Sequence, residues 1–471
     1  MSNNTAVSSD EYRCPGSVLL GMCIGVSLYW LFALSMGALL PSIAATMGVQ
    51  STDPNLGLAS SMAGLVAGIC IVPAGGLADL YGRVLLTRIG LAIGLVGMLL
   101  AGLAPNMEML IAGRFFQGLA SSIIMPATLA LVRVYYNDAD RPRAISLWSM
   151  STFGAASVSS LFGGLVATYI GWRWAFLLAI PCIFIAFWLL RAAPERKAAG
   201  TRAEGIDFLG FAALIFGFLA LNLFVSKGNA WGWTNPATLG ALAIFLVSMA
   251  IFIPNELRHP SPIADLRLFK HKIFTGAVVA NLFINSLLGV LFVIQTYLQK
   301  GRGLTPMEAA LLTLGYAVTV VTMIRVGEKI SLRTGPRLPM VLGALCFLGM
   351  VTLLSMTSIT DNTVYFILVF IGLAAQGVGL GLFATPATGA AINAAPPDKA
   401  GVAGGIFKMA SSLGGAFGIA IHLAIYGAIA ASTQGNLHVA TLYSIGSGVI
   451  ATLLAALVAL ILVPSIKKQA V

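Results

Sequence analysis

Charged side chains are scarce in this sequence. Only 9% of its 471 residues are Asp, Glu, Lys or Arg, whereas 58% are apolar. The mean hydropathy is +0.93, far above that of a soluble globular domain, in which about 25% of residues are charged. These values exclude a soluble or disordered chain and predict a membrane protein.

Paired cysteines and catalytic motifs are also lacking. Five cysteines are an odd number, and no two of them have metal-ligand spacing, so we expect neither disulfides nor a metal site. There is no phosphate-binding loop, no Gly-x-Ser-x-Gly turn and no cluster of acids or histidines inside an apolar run. A nucleotide-driven pump is therefore excluded, an enzyme is disfavoured, and no cofactor is expected. The cysteines are Cys14, Cys23, Cys70, Cys182 and Cys346.

Long uncharged runs are what the sequence has in abundance. A helix needs about 20 apolar residues to cross the hydrocarbon layer, and these runs lack the alternation of barrel strands. The last run is interrupted by the polar turn STQGN, so the runs predict fourteen membrane-spanning helices. The runs are 14–52, 54–78, 89–107, 115–132, 144–172, 174–190, 208–226, 228–255, 273–299, 309–324, 338–360, 362–397 and 409–466.

The basic residues predict the orientation. With fourteen spans, 22 of the 27 Lys and Arg fall on the side of both termini. Four others (Arg173, Lys227, Lys300 and Arg302) fall on the opposite side, and Arg114 lies within a span. Because cytoplasmic loops retain basic residues, both termini should be cytoplasmic. The net charge of +11 is then explained by topology and by attraction to anionic lipid headgroups. We expect no nucleic-acid partner.

Two longer polar loops divide the spans into six, two and six. The segments Gln117–Thr128 and Gln376–Thr388 both read Gln-Gly, small residues, then Pro-Ala-Thr, which favours two related bundles with a binding site between them. No basic leader precedes the first run, so we expect no cleaved signal. The predicted units are a cytoplasmic tail 1–16, a six-helix bundle 17–190, a linker 191–207, a helix pair 208–254, a linker 255–272, a six-helix bundle 273–463 and a tail 464–471.

Several motifs resemble a known family. GGLADLYGR at 75–83, GRFFQGL at 113–119 and FGG before GWRWAF at 162–176 resemble the major facilitator superfamily, in its fourteen-span drug:proton antiporter branch. The stretches WLFALS, IMPATL, MIRVGEK and GIFKMASSLGGAFG narrow the likeness to staphylococcal quinolone exporters.

The resemblance implies a monomeric, proton-coupled exporter in the lipid bilayer of a bacterial plasma membrane. Its substrates would be amphipathic compounds such as fluoroquinolones, dyes, cationic biocides and tetracycline. Since charge is sparse in the expected cavity, hydrophobic or cationic drugs are favoured. The rival function is a dedicated carrier of one metabolite, such as a siderophore or an osmolyte.

The stretch at 75–83 is the predicted gate. The resemblance implies that Asp79 and Arg83 brace the two halves in the outward-facing state and release them in the inward-facing state, while Gly75 and Gly82 allow close approach. The alternative is a tight turn with topogenic charge. Basic residues usual in the family are replaced by apolar ones near Leu80, which predicts a looser latch.

Proton coupling has several candidates. An arginine at the centre of a span costs about 2.5 to 3.5 kcal/mol to insert, so Arg114 should face water or a polar partner, and the resemblance implies a coupling role. The alternative is that it extends to the outer surface near Glu108. The first span has no acid, and Ser159 and Ser160 replace the family's Gly-Pro in the fifth span.

No acid lies at mid-membrane. Asp53 and Glu308 are the external candidates, although each also fits a helix-start acid. Asp79 and Glu328 are the internal candidates, and His422 is a further one, with a packed histidine as its alternative.

The substrate cavity is expected between the bundles, with aromatic, sulfur and amide side chains that suit varied amphipathic ligands. For each candidate the alternative is a lipid-facing or core position, and for Lys408 it is a snorkelling position. The candidates are Tyr29, Trp30, Phe32, Gln117, Met125, Trp148, Asn281, Asn285, Gln295, Gln376, Phe383, Phe407 and Lys408.

Overall fold

The structure, a computed structural model, describes residues 15–136, 140–195, 207–260, 262–396 and 399–465. Over these residues every regular element is a helix, which confirms the predicted all-α membrane protein. The helices are α1 (Gly16–Leu34), α2 (Met36–Met47), α3 (Pro54–Tyr81), α4 (Arg83–Gly102), α5 (Met107–Tyr135), α6 (Arg141–Tyr169), α7 (Trp174–Leu177), α8 (Ala179–Leu190), α9 (Phe208–Trp231), α10 (Pro236–Arg258), a 3-10 helix (Leu266–Lys270), α11 (Lys272–Ser286), α12 (Leu288–Lys300), α13 (Pro306–Leu311), α14 (Leu314–Thr334), α15 (Arg337–Leu354), α16 (Asn362–Asn393), α17 (Ala400–Ser432) and α18 (Leu437–Leu462).

Some predicted features lie outside the described residues. These are nearly all of the tails 1–16 and 464–471 and most of the linker 191–207, with Arg13, Cys14, Arg196, Lys197, Arg202, Lys467 and Lys468.

Thirteen helical segments in the described part of the chain are long and apolar enough to cross a membrane. The segment Trp174–Leu190, formed by α7 and α8, is apolar but shorter. Its 17 residues would span about 26 Å at 1.5 Å per residue, slightly less than the hydrocarbon layer. The predicted total of fourteen requires this segment to cross, so the total and the cytoplasmic termini stay predictions.

Several Asp and Asn residues lie immediately before the first residue of a long helix. The first N–H groups of a helix have no partner within it, and an Asp or Asn side chain can accept from them. Six long helices begin in this way. The capping residues are Asp53, Asn106, Asp207, Asn235, Asp361 and Asn436.

Two predicted spans are interrupted at matching places. The first uncharged run was expected to form one helix, but α1 ends at Leu34 and α2 begins at Met36, with Ser35 donating to the carbonyl of Phe32. The ninth span breaks at Leu287, between α11 and α12. Each break lies in the first span of its half, so the repeat seen in the sequence extends to helix geometry.

Close packing of helices explains the small residues of α17. A Cβ on Gly414 would overlap the carbonyl of Leu282, and one on Gly418 would overlap that of Ser286. Glycines therefore allow α17 to lie against the backbone of α11, as is common between membrane helices.

The helix pair α9–α10 packs beside both halves. Asn222 on α9 exchanges hydrogen bonds with Ser61 on α3 at 3.0 and 3.2 Å. Asn229 donates to the carbonyl of Ala424 on α17 at 3.0 Å. The pair thus contacts one central helix from each half. The bundle boundaries themselves stay predictions.

Candidate functional site

A small cavity lies where α1, α3 and α5 meet α11, α12 and α17. Its volume is about 60 Å³, enough for about two waters at roughly 30 Å³ each and well below the roughly 300 to 1,000 Å³ of a drug-sized site. A drug can enter only if the halves move apart. The lining residues are Tyr29, Trp30, Ala33, Leu34, Ser60, Gly64, Arg114, Asn285, Leu288, Phe292, Ser411, Ser412, Gly415, Ala416 and Ile419.

The predicted cavity residues divide into two groups. Tyr29, Trp30 and Asn285 line the cavity, and Lys408 contacts the ring of Trp30. The others are buried and do not line it; they are Phe32, Gln117, Met125, Trp148, Asn281, Gln295, Gln376, Phe383 and Phe407.

Some buried members of this set hold neighbouring helices together. Phe32 packs edge-to-face on Phe162, with ring centroids 5.1 Å apart. The indole N–H of Trp148 donates to the hydroxyl of Thr128 at 3.0 Å. These contacts join α1 and α5 to α6.

A chain of amides leads from α17 towards the cavity. Asn281 donates to the carbonyl of Phe407 at 2.9 Å and to the hydroxyl of Ser411 at 2.6 Å. Asn285, one turn further along α11, donates to the side-chain oxygen of Asn281 at 2.9 Å. Asn281 therefore positions the lining residue Asn285.

Arg114 is the cation at the centre of the first half. Its side chain is almost fully buried, at 1% exposure. It donates to the carbonyls of Ala59 at 3.1 Å, Ala33 at 3.1 Å and Ser60 at 3.4 Å, and to the amide oxygen of Gln117 at 2.7 Å. Every one of these acceptors is neutral, so the guanidinium is hydrogen-bonded without a counter-charge.

Lys408 is a cation of the second half, on α17. Its ammonium lies 4.6 Å from the centre of the Trp30 ring, which is within cation–π range. It has no hydrogen bond or ion pair with any other residue in the described ranges. The contact joins α17 to α1 across the interface beside the cavity.

The predicted gate forms contacts only within the first half. Arg83 donates from Nε to Asp79 at 2.8 Å, and the ion pair closes to 2.7 Å. Gly82 joins α3 to α4 with φ +129°, a conformation that favours glycine. Neither Asp79 nor Arg83 bonds to the second half in the described part of the chain.

Glu195 is a gate contact that the sequence did not reveal. Gly82 precedes α4 and has no side chain to cap it, but the carboxylate of Glu195 accepts from the N–H groups of Val84 and Leu85 at 2.9 and 2.8 Å. A Cβ on Gly82 would come within 2.6 Å of this carboxylate. Two features of the sequence could have indicated this contact: an acid lies shortly after a predicted span, and the glycine that precedes α4 has no side chain to cap it.

The external acids act as helix caps in this state. Asp53 accepts from the N–H of Asn55 at 2.7 Å. Glu308 and Thr305 form a capping box, with Thr305 N–H donating to Glu308 at 2.8 Å. Neither is among the residues that line the cavity.

His422 lies at the contact between α17 and α12. Its Nδ1 is 2.8 Å from the carbonyl of Gly418. Its buried Nε2 has no hydrogen-bond partner among the described residues. It does not line the cavity.

Lys399 and Asp265 connect the second linker to the start of α17. Their ion pair measures 2.5 Å. Burial alone would raise the pKa of Asp265, but hydrogen bonds from Lys399 and the N–H of Arg267, with the charges of both cations, lower it below its ordinary value of 3.8. The linker is thus tied to the helix that carries Lys408.

Comparison of sequences shows the family of this chain, and comparison of structures shows its fold. A sequence profile described as Major Facilitator Superfamily matches residues 22–419. The quinolone resistance protein NorB of Staphylococcus aureus strain COL is 38% identical over 457 residues, which cover 97% of this chain and 98% of NorB.

Solved structures share the fold at low sequence identity. A D-xylose–proton symporter has a TM-score of 0.69 at 15% identity, covering 98% of this chain and all of that one. A bacterial homolog of the human lysosomal transporter Spinster, inward-facing and unoccupied, has a TM-score of 0.66 at 17% identity, covering 96% and 97%.

Proposed function

This chain belongs to the Major Facilitator Superfamily, and we propose that it is a proton-coupled exporter of amphipathic drugs and not an enzyme. The membrane-length helices and these similarities identify a multi-pass protein of the bacterial plasma membrane. Fluoroquinolones are the first substrates to test, followed by dyes, cationic biocides and tetracycline.

The observation that carries the proposal is the cavity between the halves, taken with the likeness to NorB along nearly the whole chain. Its lining combines Tyr29, Trp30 and Phe292 with polar groups from both halves. Aromatic walls with a few polar groups are typical of small-molecule sites.

Alternating access is supported by where the halves meet. At the predicted extracellular end, Gln299 on α12 donates to the carbonyl of Ala38 on α2 at 3.1 Å. The N–H of Met307 on α13 donates to Thr168 on α6 at 3.1 Å. These contacts close the outer end, while the predicted latch is bonded only within its own half, as expected of an inward-facing state.

Three groups are proposed for proton coupling. Arg114 lines the cavity and has no acidic partner, so a change in its hydration or in a bound ligand would change its electrostatic environment. Asp53 and Glu308 lie at the predicted outer ends of spans, where external protons arrive first. We propose these three as the groups to neutralise when coupling is measured.

Drug susceptibility tests this proposal. An efflux-deficient bacterial host expressing the chain should tolerate higher concentrations of a fluoroquinolone, ethidium or tetracycline than the same host with an empty vector, and an uncoupler should abolish drug efflux. Unchanged tolerance to every compound, together with transport of one metabolite, would instead establish a dedicated carrier.

A further inference from the structure

We infer that the central cavity selects amphipathic ligands that carry a carboxylate, which Lys408 and Arg114 hold from opposite halves, over ligands whose only charge is positive. The inference rests on the proposed function and narrows its substrate class: it ranks carboxylate-bearing drugs above the cationic drugs that the sequence favours.

Among the described residues that line the cavity, the only charged one is the cation Arg114. Arg114 is a lining residue, and Lys408 contacts the lining residue Trp30. No Asp or Glu is among the lining residues. Arg114 and Lys408 have no ion pair in the part of the chain that the structure describes.

The two cations approach neighbouring turns of α1. Arg114 donates to the carbonyl of Ala33, and Lys408 lies over the ring of Trp30. Residues three apart in a helix share a face and differ by about 4.5 Å along its axis. Both cations therefore approach the segment of α1 that lines the cavity, one from each half.

Charge without a counter-ion favours an anion at this place. A buried cation loses hydration, and neutral carbonyls replace only part of it. A carboxylate would supply the missing negative charge and accept charge-assisted hydrogen bonds. A fixed cation would meet repulsion from both Arg114 and Lys408.

The remaining lining suits the rest of such a ligand. Tyr29, Trp30 and Phe292 offer aromatic surface for a fused ring, while Ser411 and Asn285 offer neutral hydrogen-bonding groups. This arrangement places the two cations beside aromatic surface. It fits a flat aromatic acid better than a quaternary ammonium compound.

Equilibrium dialysis against the purified full chain in nanodiscs tests the inference. The probes are norfloxacin, its ethyl ester, which lacks the anionic carboxylate, and ethidium. Loss of one charge-assisted contact should weaken binding about tenfold. The ester and ethidium should therefore bind more weakly than the acid.

Variants of Lys408 test whether this residue causes the preference for the acid over its ester. Lys408→Met should weaken norfloxacin binding about tenfold and leave the ester nearly unchanged, whereas Lys408→Arg should retain the preference. Lys329→Met, which removes an exposed lysine of α14, is the matched control and should change neither. Circular dichroism checks that each variant is folded.

The outcomes separate this inference from the proposed function. Equal binding of acid and ester to the wild type, or equal losses for both in Lys408→Met, would overturn the carboxylate preference. If cells still exported these compounds in an uncoupler-sensitive way, the exporter proposal would stand. If none of the compounds were bound or exported, both would fail.

Discussion

Asp79 near the end of α3 and Arg83 at the start of α4 form an ion pair across Gly82. Their pair is partly exposed, with side-chain exposures of 12% for Arg83 and 39% for Asp79. Exposed ion pairs contribute little to stability, so removing this pair should change the free energy of unfolding only slightly. If the pair acts in the conformational cycle, its removal should instead lower the transport rate.

Asp79→Asn should slow transport and leave drug binding intact. The substitution removes the charge that the family resemblance assigns to the outward-facing brace, while the cavity is untouched. Transport rate and equilibrium binding of the same fluoroquinolone measure the two effects separately. Glu328→Gln, at a second acid that is predicted to be cytoplasmic, is the comparison. Loss of binding in Asp79→Asn would refute the latch.

Asp265 gives a prediction for the dependence of stability on pH. Its folded pKa lies below its ordinary value of 3.8, so the stability it contributes is present above pH 3.8 and is lost as the pH falls through the lower, folded value. Thermal unfolding of wild type and Asp265→Asn should therefore differ at pH 7 and converge in acid. A difference that grew on acidification would contradict the assigned direction.

The N-terminal end of α4 shows how one element depends on another. Its preceding residue, Gly82, offers no cap, and Glu195 from beyond α8 supplies one. The gate loop is thereby fixed to the end of the sixth predicted span. The loop should then move with the first half as one body.

Glu195→Ala should destabilise the protein by about 1 kcal/mol, the usual cost of removing a cap. Glu195→Gln keeps an acceptor oxygen and should lose less. Thermal unfolding in detergent compares the two variants with wild type. Equal stability of the Ala and Gln variants would contradict the role of the Glu195 side chain as the cap of α4.

The elements themselves were largely predictable, because charge-free runs of spanning length leave few alternatives to helices. The breaks at Ser35 and Leu287 were not predictable, since neither is a proline or a glycine and both lie within uncharged runs. Only some of the predicted cavity residues line the small cavity of this structure. Helices that are apolar on every side carry no stripe to show which face points inward, so Phe383 and Asn285 look equally eligible in sequence.

If transport proceeds by alternating access as proposed, the outer contacts between α6 and α13 must open. Thr168 and Met307 approach each other there across the two halves. A covalent link between them should hold the protein in the state described above. The drug could then bind from one side only.

The double variant Thr168→Cys with Met307→Cys, made in a chain without its native cysteines, should lose transport on oxidation and regain it on reduction. Each single variant is a control, because neither can form the link. Mass spectrometry establishes that the disulfide has formed. Full transport by the linked protein would show that this contact need not open.

Proton-driven transport by the purified protein is the most direct test of the exporter proposal. Proteoliposomes with an acidic lumen and a neutral exterior should accumulate a fluoroquinolone, and nigericin should abolish the accumulation by collapsing the pH gradient. Empty liposomes correct for passive trapping of the drug. Accumulation that exceeds this background only when the gradient is present is the predicted result; accumulation equal to that of empty liposomes, or unaffected by nigericin, would contradict a proton-coupled drug exporter.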